Sequence, residues 1–404
     1  MARHLADLMH ELGPEFAARA ARCDDEDLFV AENYFVLKKH GILTAGLPTE
    51  LGGGGAEHRE LGEMLRVLAR YCGSTALALS MHTHQVATAV WRWRRDPAPV
   101  EALLRSVAAN NLVLVSSGGS DWIAGSGKAE RVEGGWRITA RKIFASGAPV
   151  GDVLVTSAVW DDPQNGPTVL HFALSLRASD VKVLDTWRVL GMRATGSHDI
   201  AIDGAFVPDA GIMLRRPQGK WHLLFHVISL LAIPLIYSVY LGVAEAARDI
   251  ALERARNRRN GQDVSYLVGE MENELTTARF AYQDMLEAAA TAEPNEQATN
   301  RVMAGRAILA RSAIRSVEKA MEVAGGVAFY RDLGLERRFR DVQAARFQAH
   351  ELAQSLQGLY GLPPPAQDHE VIGVGHDARA EILLQPELLP SQHKPAHVEI
   401  GQQG

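Results

Sequence analysis

VSSGGSDWIAGSGKAERVEGGWRITARKIFASGAPVGDVLV, residues 115–155, is the stretch that decides the fold. Val, Ile, Thr and aromatic residues alternate with polar ones in short runs cut by Gly, Asp and Pro, the pattern of half-buried antiparallel strands. Glu133-Gly134-Gly135 sits inside Arg131–Lys142 and predicts a hairpin there. The glycine-serine turn ending in Ser120-Asp121 has two readings. It either closes an ordinary connection or, because glycine tolerates close approach and unusual φ/ψ, leaves backbone N–H groups free for an acceptor-rich ligand.

Outward from this stretch, the β pattern continues through Val153–Val159, Val169–Leu176 and Ile200–Phe206, which predicts a central antiparallel barrel or sandwich over 112–220. Residues 1–111 read as helical, with strong helices at Glu60–Tyr71 and Ser74–Trp93 and a glycine-rich connector over 41–55. His82 and His84 are two apart, hence on different helix faces, so no shared metal is expected. Residues 221–362 predict a four-helix bundle of Ala232–Arg256, Val268–Ala292, Gln297–Ala324 and Leu335–Leu359. Residues 363–404 form an extension opened by three prolines.

Composition excludes several classes. The 404 residues are 47% hydrophobic and 22% charged, a globular balance, and the 42 Lys+Arg against 48 Asp+Glu leave a net charge of −6 that gives nucleic acid no general attraction. Cys23 and Cys72 alone cannot make a disulfide framework or a thiolate zinc site, and they predict reduced thiols in a cytoplasm. Arg3, His4 and Asp7 interrupt any signal-like run. Val227–Val243, broken by Pro234, reads as a buried core helix and not a membrane span. No GxGxxG after a strand and no Walker loop is present.

Several ordered motifs resemble the acyl-CoA dehydrogenase superfamily. Ser116-Ser-Gly-Gly-Ser-Asp121 is similar to its flavin-contacting turn, with Val115-Ser116-Ser117 in place of the usual Thr-Glu-Pro. Gly134–Ala158 resembles its strand pair, and Leu190-Gly-Met-Arg-Ala-Thr-Gly-Ser197 with Phe206-Val-Pro208 resembles the exit from its β domain. Glu322-x-x-Gly325-Gly326, then Glu336-Arg337 and Arg340-Asp341, resembles "Q-x-x-G-G…E-R-x-x-R-D".

The resemblance implies FAD, with FMN left open, held by Ser117, Gly119, Ser120 and Ser146 at its ring. It also implies Arg256, Arg258, Glu322, Gly325 and Gly326 at the dinucleotide tail, shared between subunits of a homotetramer or homodimer. Solvated basic turns and turn-closing serines would look the same in sequence. Glu322 replaces a glutamine and cannot donate unless protonated. The family's catalytic Glu, counted eight residues on from Asp341, falls on Ala349, and its alternative position falls near Ala232. Glu351 and His350, close in sequence to that position, are the catalytic candidates that remain, although a two-residue shift on a helix rotates Glu351 through roughly 200° from it.

Two enzyme readings follow from the resemblance. One is an oxidoreductase acting on an acyl-CoA-like small molecule and paired with an electron-transfer flavoprotein. The other is a flavin monooxygenase supplied by a flavin reductase, which needs no α-proton base and in which Ser117, Ser146, His82 or His198 would serve as a donor. A non-catalytic flavin-binding protein is the third. No metal, nucleic acid or membrane partner is expected.

Overall fold

The computed structural model describes residues 4–117, 121, 123–256 and 262–347. Five helices come first: α1 (Leu5–Asp25), α2 (Ala31–Lys39), α3 (His58–Tyr71), α4 (Gly73–Trp93) and α5 (Glu101–Asn110). In α3 the apolar residues Leu61, Met64, Leu65 and Leu68 recur at three- and four-residue steps, and all four are buried.

The central sheet holds β1 (Leu114–Ser116), β2 (Lys128–Val132), β3 (Gly135–Ala145), β4 (Val153–Asp162), β5 (Gly166–Ser175), β6 (Val181–Val183), β7 (His198–Pro208) and β8 (Ile212–Pro217). Its order is β6-β7-β3-β2-β4-β5-β8, with β1 also on β4. The predicted hairpin is β2–β3, closed by Glu133 and Gly134, and the second of these takes a positive φ of 72° that glycine adopts without steric cost. The sheet is mixed and not wholly antiparallel. Strand β1 runs parallel to β4, and β2 meets the same edge in the same direction at Lys128 against Val159. Strands β1 and β2 therefore share one heading along that edge, which a two-residue hairpin between them could not give.

Helices return with α6 (Leu223–Arg256), α7 (Gln262–Thr291), α8 (Glu296–Ala324) and α9 (Leu335–Val342). Strand-poor ends and a helical C-terminal region thus flank the sheet as the sequence predicts, with two differences. Helix α6 begins nine residues before Ala232 and runs through Pro234. Helix α9 stops at Val342 and gives way to a 3-10 turn at Gln343–Arg346, in which the Ala345 carbonyl accepts from the Tyr237 hydroxyl of α6 at 3.1 Å. The remainder of the expected 335–359 helix, and all of 363–404, lie outside the described residues.

Helix α6 is long and apolar enough to cross a membrane, but 89% of its most apolar window is buried inside the protein. It packs on α3, α4, α7, α8 and α9 and is the axle of the helical region. At Gly242 a Cβ would overlap the Arg66 carbonyl of α3, so glycine sets how closely these helices approach. One turn further on, the buried Glu245 bridges Arg66 of α3 at 2.6 Å and Arg279 of α7 at 3.0 Å. Gly242→Ala is expected to destabilise the protein by about 1–3 kcal/mol through overpacking. An unchanged denaturant midpoint would show that α3 and α6 separate freely.

Two buried polar groups hang β1 in place. His82 of α4 donates through Nε2–H to the Leu43 carbonyl at 2.8 Å and accepts the Leu114 N–H on Nδ1 at 3.0 Å. Asp152 accepts the Val113 N–H at 2.9 Å while pairing with Arg177 at 2.7 Å and Lys38 at 3.6 Å. Burial pushes His82 down to about 4, with Lys38 adding to the shift and Asp152 opposing it. Burial likewise pushes His84 down to about 4 and, with Arg216 beside it, His171 down to about 3. Their folded values lie below the unfolded 6.5, so the unfolded chain takes protons first. The stability that these three histidines contribute is therefore expected to be full above pH 6.5 and to fall as pH drops toward 4, His82 alone accounting for about 3 kcal/mol. Urea unfolding at pH 7.5 and 4.5 measures this, and equal midpoints would contradict the buried neutral clamp.

Candidate functional site

Strand β3 does not stay in step with β7. Between Lys142↔Ile200 and Ala145↔His198 it spends three residues against two, a bulge that carries Phe144. Phe144 sits at φ 57°, and Met192, across the site, sits at φ 54°. Asp27 and Asn111 are the other non-glycine residues at positive φ among those described, and short polar side chains tolerate that region. A Phe and a Met there are strained, at about 1–3 kcal/mol each, and both border one cluster of hydroxyls.

That cluster runs inward from Ser146. Its Oγ lies 2.8 Å from Ser197 Oγ, which lies 2.7 Å from Thr195 Oγ1, and Thr195 donates to the Met192 carbonyl at 2.9 Å. All three hydroxyl residues are buried. Outside them Phe144 remains 55% exposed, with Trp187 edge-on at 5.9 Å. On the inner side of Gly147 the buried Tyr34 hydroxyl has no partner among the described residues. His198 accepts the Thr186 and Trp187 N–H groups on Nδ1, each at 3.1 Å, so its proton is on Nε2, and burial lowers its pKa. The neighbouring carboxylates are occupied: Asp185 by Arg188 at 3.0 Å and Asp199 by Arg141 at 2.7 Å.

The sequence-predicted residues fall in separate places. Ser117, just beyond β1, meets Thr156 of β4 at 3.1 Å, and Ser146 belongs to the hydroxyl cluster. Arg256 is exposed at the end of α6. Glu322 is exposed on the last turn of α8 and pairs with Lys319 at 3.0 Å. Gly325 ends that helix at φ 74°, ψ −161°, a region essentially closed to other residues, and Gly326 has open space where a Cβ would be. Gly119, Ser120, Arg258, Ala349, His350 and Glu351 lie outside the described residues. His82 is not available as a donor, since both its ring nitrogens are spent on backbone groups. Thr195 and Ser197 escaped the sequence reading, although both stand in the 190–197 motif quoted for its exit from the sheet.

Two of the quoted motifs turn out to be halves of one joint. A Cβ on Gly191 would overlap the Arg340 carbonyl, Met192 N–H donates to Asp341 at 2.5 Å, and Arg340 reaches the Leu190 carbonyl at 3.0 Å. Arg340 also pairs with Asp24 of α1 at 2.5 Å. Burial, aided by Asp24, pushes the Asp341 carboxyl up to about 6.

Chemically, the exposed face beside Ser146 offers an aromatic wall of Phe144 with Trp187 set edge-on to it, a buried hydroxyl able to donate or accept, and a histidine whose protonation burial disfavours. A flavin ring, planar and apolar on its faces with hydrogen-bonding atoms along its edge, fits such a wall. Strained backbone of the kind seen at Phe144 clusters at active sites and ligand clamps, which makes this surface the candidate site.

Known proteins resemble this chain over most of its length. Residues 3–96 match the family model described as acyl-CoA dehydrogenase, N-terminal domain, and residues 235–354 match acyl-CoA dehydrogenase, C-terminal domain. The chain is 30% identical over 358 residues to the amino sugar nitrososynthase RubN8 of Streptomyces rubradiris, covering 83% of each chain. It is 28% identical over 363 residues to the putative acyl-CoA dehydrogenase YdbM of Bacillus subtilis (strain 168), covering 85% of this chain and 92% of that one. The structure superposes with a TM-score of 0.81 and 26% identity on KijD3 in complex with FMN and dTDP-3-amino-2,3,6-trideoxy-4-keto-3-methyl-D-glucose, over 89% of this chain and 94% of KijD3. The chain belongs to the acyl-CoA dehydrogenase family, and is a flavin-dependent enzyme of that fold.

Proposed function

We propose that the protein is a flavin-dependent monooxygenase. The observation that carries this reading is the lack of an acid where α-proton removal from an acyl thioester needs one. The sequence has Ala349 at one family position, and Ala232, at the other, is a buried methyl in α6. A positioned general base commonly contributes ~10²–10⁴-fold, so a dehydrogenase without it would be severely slowed. Oxygen transfer makes no such demand.

Bound reduced flavin supplies the electrons that activate O₂ and place one oxygen atom on the substrate. The chain's residues have the remaining tasks. Phe144 and Trp187 wall the ring and keep water from it, Ser146 and Ser117 hydrogen-bond its edge, and His198 stays neutral with its proton on Nε2. Ser120 belongs to the same edge, and Arg256 or Arg258 is the cation for a phosphate. Gly325 and Gly326, next to the exposed Phe329 and Tyr330, suit a neighbouring subunit's flavin tail in a homotetramer or homodimer. A separate flavin reductase provides the reduced cofactor, in a cytoplasm. Nucleotide-linked amino sugars are the first substrate class to examine, because RubN8 is an amino sugar nitrososynthase and KijD3 was captured with a dTDP-amino sugar.

Two assays test this: dTDP-amino sugars are given to the protein with FMN or FAD, a reductase, NADH and O₂, and saturated acyl-CoAs are given separately to the flavin-loaded protein without O₂ to follow bleaching. Amine-dependent O₂ uptake with a product heavier by oxygen is expected, together with negligible bleaching by acyl-CoA in the unmodified protein and in Ala349→Glu. Rapid bleaching abolished by Glu351→Gln would establish dehydrogenation with a displaced base. Bleaching that appears only in Ala349→Glu would show an acyl-CoA pocket that has lost its base.

A further inference from the structure

The hydroxyl chain behind Ser146 has a property that its individual distances do not reveal. Each hydroxyl has one hydrogen to give. With Thr195 donating to the Met192 carbonyl, Ser197 must donate to Thr195 and Ser146 must donate to Ser197. Ser146 then shows only lone pairs to the outside. Reversed, Thr195 donates to Ser197, Ser197 to Ser146, and Ser146 donates outward.

The cost of reversal is set at the inner end. The Met192 carbonyl also accepts the Thr195 N–H at 3.1 Å and the Trp187 Nε1–H at 3.3 Å. A carbonyl has two lone pairs, and these two donors occupy them. Thr195 Oγ–H is therefore a third donor, and its departure leaves no buried acceptor unpaired. Nothing charged is in the chain, so neither direction is imposed by a nearby ion.

We propose that Ser146–Ser197–Thr195 is a reversible hydroxyl relay, with Thr195 and Ser197 as positioning residues that let Ser146 accept from a reduced flavin and donate to an oxidised one. An oxidised flavin presents bare ring nitrogens that want a donor, whereas reduction puts a proton on the ring edge that wants an acceptor. The relay meets both states without moving a side chain. This inference rests on the flavin site proposed above.

Thr195→Val keeps the shape and removes the inner link. Ser197 then has Ser146 as its acceptor, which locks Ser146 as an outward donor and favours oxidised flavin. The expected result is a more negative midpoint potential, with the ratio of oxidised to reduced flavin affinity raised roughly three- to tenfold, the worth of one hydrogen bond. In a Ser146→Ala background the same substitution should shift nothing. Ser197→Ala, a second route if Thr195→Val folds poorly, removes the inner acceptor of Ser146, so Ser146 again donates outward and the midpoint potential should move in the same negative direction as in Thr195→Val. Titration of bound flavin, with melting of the flavin-free proteins alongside, gives the readouts. A wild-type potential in Thr195→Val or Ser197→Ala while Ser146→Ala is shifted overturns the relay alone, as does a Thr195→Val shift that persists without Ser146. Wild-type flavin affinity, spectrum and potential in Ser146→Ala would overturn the flavin site itself and the relay with it.

Discussion

Asp341 is the joint on which the three parts of the chain meet. Its carboxylate takes the Met192 N–H at the exit of the sheet, while the adjoining Arg340 grips Asp24 at the end of α1 and the Leu190 carbonyl. The fit is close enough that Gly191 cannot carry a side chain. An unpaired buried N–H costs about 1–3 kcal/mol and an unpaired buried charge more, so each member of the joint makes the others obligatory. Burial and Asp24 raise the Asp341 carboxyl toward neutrality, and Arg337 and Arg340 oppose that rise.

The same joint reaches the candidate site through a single residue. Met192 is held at φ 54° by its N–H on Asp341, and its carbonyl is the inner end of the hydroxyl chain to Ser146. Strain at Met192 is thus sustained by the helical region and presented to the sheet. Phe144 is strained on the other side by a bulge in β3. The site is a place where two elements are forced out of their ordinary conformations by packing that lies elsewhere, and this gives a rigid wall without needing a large cavity.

Much of the fold was legible because its signals are local. The β2–β3 hairpin follows from Glu133-Gly134 between alternating runs, and α3, α4, α7 and α8 follow from apolar spacing. The bundle helix expected from Ala232 runs from Leu223 and carries Pro234 in its interior, because in a buried helix packed on five neighbours tertiary contacts outweigh one lost hydrogen bond. The direction of β1 is set by its parallel pairing with β4, which no local pattern encodes. The site was less legible still. Ser146 was visible through resemblance, but its partners Ser197 and Thr195 are about fifty residues away in the chain and come beside it only through the β3–β7 register. His82 read as a free donor because nothing in its helix announces that Leu43 and Leu114 will meet both its nitrogens.

These contacts also change what the family motifs are evidence for. Leu190-Gly-Met-Arg and Arg340-Asp341 are two faces of one joint in this chain, a contact that serves the architecture whatever reaction is performed on it. Gly325 likewise has a sufficient reason in ending α8 at a backbone angle open to glycine alone. Matching these motifs therefore identifies the architecture and says little about acyl-CoA chemistry. The discriminating positions are those that the fold does not need, such as 349, where a carboxylate would serve proton abstraction and the chain has alanine. Retained joints beside a missing base are what a change of reaction on an unchanged scaffold should look like.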